Sequence, residues 1–323
     1  GDNEGAVGYL IGEENKGLFA MFTMMNHARM EVGLQGVAIS ERAYQLARSY
    51  ANERVQGRVP GQEGRAPIIH HGDVRRMLML MRCQVEAMRA LAYSAAAKDD
   101  IEHNTADADV ATAAGKRLSL LTPVVKGWCT ETTEQVTSLG IQIHGGMGFV
   151  EETGAAQHYR DARILTIYEG TSGIQAGDFA SRKVLADEGR ELGLLLGELR
   201  ELCDSMQGNE QLDAIASAVR SGLDQLESGM NWLIENATAS PATVGSASFN
   251  LLMLAGTVLG GAFLAKAASI AVSDESSASK SFGEAKLATA AFYCVHVLPR
   301  AHGFLAAMTS DADLTMAISA DSF

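Results

Sequence analysis

Apolar residues recur at three- and four-residue spacing along almost the whole chain, the pattern of amphipathic helices packed on one another. Only 5 prolines interrupt the 323 residues, so the helical windows can run long. The first predicted helix covers about Lys16 to Gly57. A loop with two prolines and two glycines follows, from Arg58 to Pro67. A second helix is predicted from Gly72 to Lys98, with Asp73 as its cap. A third starts at Asn104 or Thr105, is expected to kink at Pro123, and ends near Leu139.

The periodicity then breaks. Gly140 to Phe149 reads as a glycine-rich turn, and a further helix is predicted after Thr153-Gly154. The apolar stretch Ile164 to Tyr168 is cut by Glu169-Gly170-Thr171-Ser172 before helical spacing resumes from Ile174 to Ala186. Beyond Asp187 the composition shifts to three or four more amphipathic helices, with breaks near Gly208-Asn209, Thr238 to Val244 and Ser273 to Ser281. At the other end, Ala6 to Gly12 reads as a short strand and turn. The predicted fold class is therefore all-α, with a β remnant at the N-terminus.

Charge and composition narrow the function classes. With 39 acidic against 26 basic side chains the formal charge is −13, and no dense Lys/Arg stripe appears, which argues against a nucleic-acid partner. The four cysteines are far apart and never in C-x-x-C spacing, so neither a zinc ribbon nor a disulfide scaffold is expected, and a reducing, cytoplasm-like compartment fits. Gly1 to Gly5 lacks the basic start and apolar run of a signal peptide, and the missing initiator Met suggests a piece of a longer chain. Asn236 to Ala265 carries no charge, but its first half is diluted by Ser, Thr, Pro and Gly. A buried helix is expected there rather than a membrane span, with Gly256 and Gly260 admitting a close neighbour.

Candidate chemistry is sparse. Adjacent His70 and His71 project about 100° apart on a helix and cannot chelate from one face, so no metal site is expected. No G-x-S-x-G elbow occurs. The glycines at 145, 146 and 148 could approach a phosphate or an adenine, or could simply turn the chain. Glu169 sits where an apolar segment meets a helix break. It could be an ordinary first-turn Glu, or a general base if burial raises its pKa. Gly170 is expected to leave open space beside it for a substrate.

Taken together, Gln142-Ile143-His144-Gly145-Gly146-Met147-Gly148-Phe149, Tyr159-Arg160-Asp161-Ala162-Arg163-Ile164 and Ile167-Tyr168-Glu169-Gly170-Thr171-Ser172 resemble the C-terminal helical domain of the acyl-CoA dehydrogenases. Asn26-His27-Ala28-Arg29, then Glu41-Arg42-Ala43 and the run Tyr50 to Arg58, look like the first long helix of the same domain. The resemblance covers about residues 7 to 185. Residues 187 to 323 look like the extra helical module of an extended bacterial branch, which Val55 to Arg58 and His70-His71 also favour.

The resemblance implies a domain order of 1–15 as a remnant of a middle β domain, 16–186 as the helical domain and 187–323 as the extension. It implies FAD-dependent oxidation of an acyl-CoA thioester to the trans-2-enoyl-CoA, with Glu169 as the base for the α-proton. Arg54, Gln142, Gly145, Gly146 and Thr171 would hold FAD, the first four on a flavin shared with a neighbouring subunit. Arg29, Tyr168 and Gly170 would lie on the substrate side, although the family's aspartate three residues before Arg29 is here Asn26. Gly173 stands where many members place a side chain against FAD. The resemblance further implies a homodimer or homotetramer, an electron-transfer flavoprotein-like acceptor and a bacterial cytoplasmic setting. An isolated C-terminal half would be inactive alone. A helical oligomerisation module without chemistry, or an acyl-CoA oxidase, are the alternative readings.

Overall fold

The computed structural model describes residues 5–61, 63–273 and 279–323; Gly1 to Glu4, Gln62 in the 58–67 loop, and the middle of the 273–281 break lie outside them. Three long helices, α1 (Gly17–Glu53), α2 (Gly72–Asn104) and α3 (Ala108–His144), form the first layer. α1 and α3 run parallel and almost touch: a Cβ on Gly33 would lie 2.5 Å from Val125 Cγ1, and one on Gly36 would lie 2.8 Å from Thr133 Oγ1. The buried hydroxyls of Thr130, Thr133 and Thr137 donate to carbonyls one turn back in α3, so that tight face leaves them satisfied.

The ends of these helices follow capping chemistry, though not always at the predicted residue. The cap of α3 is Asp107, whose carboxylate accepts from Asp109 N and Val110 N, rather than Asn104 or Thr105. His71 occupies the cap position of α2, and Asp73 lies inside the first turn, paired with Arg76. α3 continues through Pro123 and five residues past Leu139, because Gly140 packs against Ala43 and Met81 instead of opening a turn. The chain reverses only at Gly145, with φ of 60°.

Shorter elements follow: α4 (Gly146–Phe149), α5 (Ala155–Arg163), a 3-10 turn over Ile164–Thr166, and α6 (Ser172–Gly177), which continues as a π-helical turn through Asp178–Val184. After a left-handed pair at Glu188 and Gly189, five more α-helices follow among the described residues. These are α7 (Arg190–Ser205), α8 (Asp213–Asn236), α9 (Thr243–Ala271), α10 (Lys280–His296) and α11 (Arg300–Met308). Short 3-10 turns at Ala312–Met316 and Ala320–Ser322 end the chain.

α9 is the centre of this second group. It is long and apolar enough to cross a membrane, but most of its apolar window is buried within the protein. It packs against α2, α3, α6, α8, α10 and α11. A helix apolar all round is what such a position requires. Trp128 of α3 lies over Gly256 and Gly260, and a Cβ on Gly256 would come within 2.0 Å of its ring. Buried side chains from Met30 to Met308 form one continuous apolar core across both groups.

The all-α class holds, but the β remnant does not form in this chain. Residues 6–11 have no regular secondary structure and are exposed, and no strand occurs among the described residues. A strand is stabilised by ladder partners, and the described residues include no second strand to supply them.

Candidate active site

Glu169 lies between the 3-10 turn at Ile164–Thr166 and α6, half-buried, with a left-handed backbone (φ 53°), and Gly170 follows at 88°. Left-handed backbone in a residue with a Cβ costs roughly 1–2 kcal/mol, so the surroundings must hold it. They do so through the carbonyls. Lys126 Nζ donates to Gly170 O at 2.7 Å, and Gln175 Nε2 donates to both Glu169 O and Gly170 O at 3.2 Å. Thr171 caps α6, accepting from Ile174 N, and Ser172 Oγ donates to Glu131 Oε1 at 2.5 Å.

The space expected at Gly170 is not open. A Cβ there would lie 2.8 Å from Gln175 Nε2 and 3.3 Å from Ile174 Cγ2. The glycine instead supplies positive φ and lets the Gln175 amide approach. Gly173 is different, since a Cβ there would meet only Thr171 Oγ1, at 3.8 Å.

Charges gather around this turn. Lys126 is 0% exposed, and burial pushes its ammonium down to about 8. Arg29 is 4% exposed and pairs at 3.3 Å with Asp178, itself 6% exposed, on the π-helical turn. Arg29 ties α1 to that turn through this ion pair. Its Nε and Gln175 Oε1 are buried without a partner among the described residues. Tyr168 is half-buried, and its hydroxyl donates to Gln35 of α1. Lys126 and Gln175 were not singled out from the sequence, although one charge within Leu120 to Cys129 was a legible signal for the lysine.

The other predicted residues collect elsewhere. Tyr50, one turn before Arg54, stacks on His144 with ring centroids 4.4 Å apart, and Gly145 follows His144 directly. Arg54, Gln142, Gly145 and Gly146 are all exposed here. A Cβ on either glycine would meet nothing within 4 Å, and the Arg54 and Gln142 side chains make no hydrogen bond to another described residue. An open turn beside a free guanidinium and a free carboxamide fits a phosphate-bearing, planar ligand such as FAD. Ile141, Phe149, Val150 and Tyr159 line an open cleft close by. From Lys126, which touches the Glu169 turn, to Gly145 there are 19 residues of α3, about 28 Å. The structure thus brings the predicted residues together as two sets at separate places, not one.

Residues 15–184 match the family described as "Acyl-CoA dehydrogenase, C-terminal domain", and residues 195–319 match "Acetyl-CoA dehydrogenase C-terminal like". The chain is 44% identical over 310 residues to the 3-methylmercaptopropionyl-CoA dehydrogenase of Ruegeria pomeroyi, covering 91% of this chain and 51% of that protein. It is 34% identical over 310 residues to a broad-specificity linear acyl-CoA dehydrogenase of Mycobacterium tuberculosis, with the same coverage. The crystal structure of an acyl-CoA dehydrogenase complexed with FAD from Bacillus anthracis shares the fold, with a TM-score of 0.75, 19% identity, and coverage of 95% of this chain and 53% of that one. The chain spans about half the length of the curated relatives it matches. With two consecutive family matches and these relatives, the chain belongs to the acyl-CoA dehydrogenase family.

Proposed function

We propose that this chain carries the proton-abstracting half of an FAD-dependent acyl-CoA dehydrogenase, which converts an acyl-CoA thioester to its trans-2-enoyl-CoA. The observation that carries the reading is the Glu169 turn. A half-buried carboxylate held in a costly backbone conformation by two buried donors is arrangement for function rather than for stability.

The α-proton of a thioester is weakly acidic, so its removal needs a positioned base close to the carbon. Glu169 takes that proton onto its carboxylate. Tyr168, fixed by Gln35, lines the acyl side next to it. Bound FAD supplies the hydride acceptor for the β-hydrogen. Arg54 would pair with its pyrophosphate, Gln142, Gly145 and Gly146 would receive its adenosine end, and Thr171 would lie against the flavin. The two sets of residues are about 28 Å apart along α3, so each chain would serve two flavins, sharing each with a second copy related by a two-fold axis. The named activity of the Ruegeria relative supports an acyl-CoA substrate, and its bacterial source is in keeping with a cytoplasmic setting; the electron acceptor would be an electron-transfer flavoprotein-like protein.

The test is to supply the full-length protein with a panel of acyl-CoA thioesters and an artificial electron acceptor. Enoyl-CoA formation matched by acceptor reduction is expected. No turnover of any thioester by flavin-loaded protein overturns the proposal.

A further inference from the structure

The base turn is tied to the C-terminal helices through two buried side chains, Lys126 and Gln175. Lys126 Nζ and Gln175 Nε2 both reach the Gly170 carbonyl, and Gln175 also holds that of Glu169. Both side chains are 0% exposed. Lys126 precedes Gly127, and a Cβ on Gly127 would lie 2.5 Å from Leu252 Cδ2 of α9 and 3.3 Å from Gln175 Cβ. Leu252, itself fully buried, therefore meets α3 and Gln175 at one point directly behind the clamp. One turn further along α9, Gly256 and Gly260 receive Trp128, which locks the register of that contact.

We propose that Lys126 and Gln175 are positioning residues that hold Glu169 in its left-handed conformation through the Glu169 and Gly170 carbonyls, and that α9 of the C-terminal module buttresses them. This gives the module a role in the reaction centre: it keeps the base aimed without touching a ligand. A carboxylate on a backbone that relaxed to the ordinary right-handed region would point elsewhere, and misplacement by an ångström is enough to slow a positioned reaction about a hundredfold. The role rests on Glu169 being the base, but the clamp itself does not.

Hydrogen exchange separates the two. In the 323-residue chain, Lys126→Met keeps the length of the stem and removes the ammonium, while Leu252→Ala keeps both donors and removes the buttress. Both should speed exchange of the Gly170 to Gln175 amides at least tenfold, and by clearly more than that of the α8 amides. In the flavin-loaded full-length enzyme, Lys126→Met should lower kcat about 10- to 100-fold with FAD content and KM retained, which a merely destabilised protein would not show. The wild-type chain offers a check without any variant: the Lys126 Nζ protons should exchange slowly and correlate with the Gly170 carbonyl by NMR. Unchanged turn exchange in both folded variants, or rapidly exchanging Nζ protons, overturns the clamp. A Glu169→Gln enzyme that keeps its rate would instead remove the base assignment and leave the clamp standing.

Discussion

Lys126 illustrates how a single side chain couples burial to pH. Burial pushes its ammonium from the ordinary 10.5 down to about 8, with Glu131 and Glu169 nearby opposing that shift and Arg29 adding to it. Between these values the unfolded chain holds a proton that the folded chain has released, so this group makes stability rise with pH across the window. Keeping the charge buried below pH 8 costs on the order of 3 kcal/mol. The buried thiols of Cys83, Cys129 and Cys294 and the Tyr293 hydroxyl, all raised by burial, act in the opposite sense at high pH. The prediction is therefore a difference: the wild-type minus Lys126→Met unfolding free energy should climb from pH 8 to 10.5 in urea titrations, and a flat difference contradicts the assignment. Arg29 gives a second test. Asp178→Ala strands a buried guanidinium and should cost about 3–5 kcal/mol of stability by urea denaturation. The break at Glu169-Gly170 was legible in the sequence because a carboxylate at the junction of an apolar run and a glycine is unusual. The partner of Arg29 was not, because Asp178 lies 149 positions away and only folding brings them together.

At the scale of elements, periodicity located the three long helices to within about six residues, since each is a long amphipathic stripe that α3 carries even through Pro123. It misplaced the end of α3, because Gly140 looked like a turn and is in fact a packing contact. It also counted three or four later helices where five α-helices occur among the described residues, the short α11 being hard to separate by pattern alone. α9 was legible from composition. Its neighbour was not, and Trp128 on Gly256 is one of the contacts that join the two helix groups. Gly256→Ala should lower stability by about 1–3 kcal/mol or more, because α3 or α9 must move to admit the methyl group. Gly197→Ala, in α7 with nothing within 4 Å of the new Cβ, should instead raise it by roughly 0.5–1 kcal/mol. Thermal unfolding of the two variants side by side checks both signs, and equal effects contradict the tight α3–α9 contact.

Across the whole molecule, large apolar side chains stand exposed at the first residues and beside the Gly145 turn. Tyr9, Ile11, Leu18 and Phe19 are solvent-exposed along the first residues, and Phe149 is exposed beside the Gly145 turn. Apolar area of this kind on a protein with a well-formed core points to partners. The relatives are about twice as long, and Arg54 and Gln142 stand far from Glu169 in one copy, so the chain should associate at least as a dimer through that end. A monomer by light scattering at high concentration contradicts this. Alone, the chain should retain FAD no better than micromolar after gel filtration, because the open Gly145 turn offers only one side of a site against the full cost of association.

The central claim is that Glu169 removes the α-proton, and anaerobic mixing of the flavin-loaded full-length enzyme with its acyl-CoA substrate tests it most directly. Wild type should bleach the flavin absorbance within the mixing experiment. Glu169→Gln, similar in size but unable to accept the proton, should keep its FAD and bleach about 10²–10⁴-fold more slowly. A Glu169→Gln enzyme that bleaches at more than about a tenth of the wild-type rate would contradict the account, since a positioned base contributes more than that.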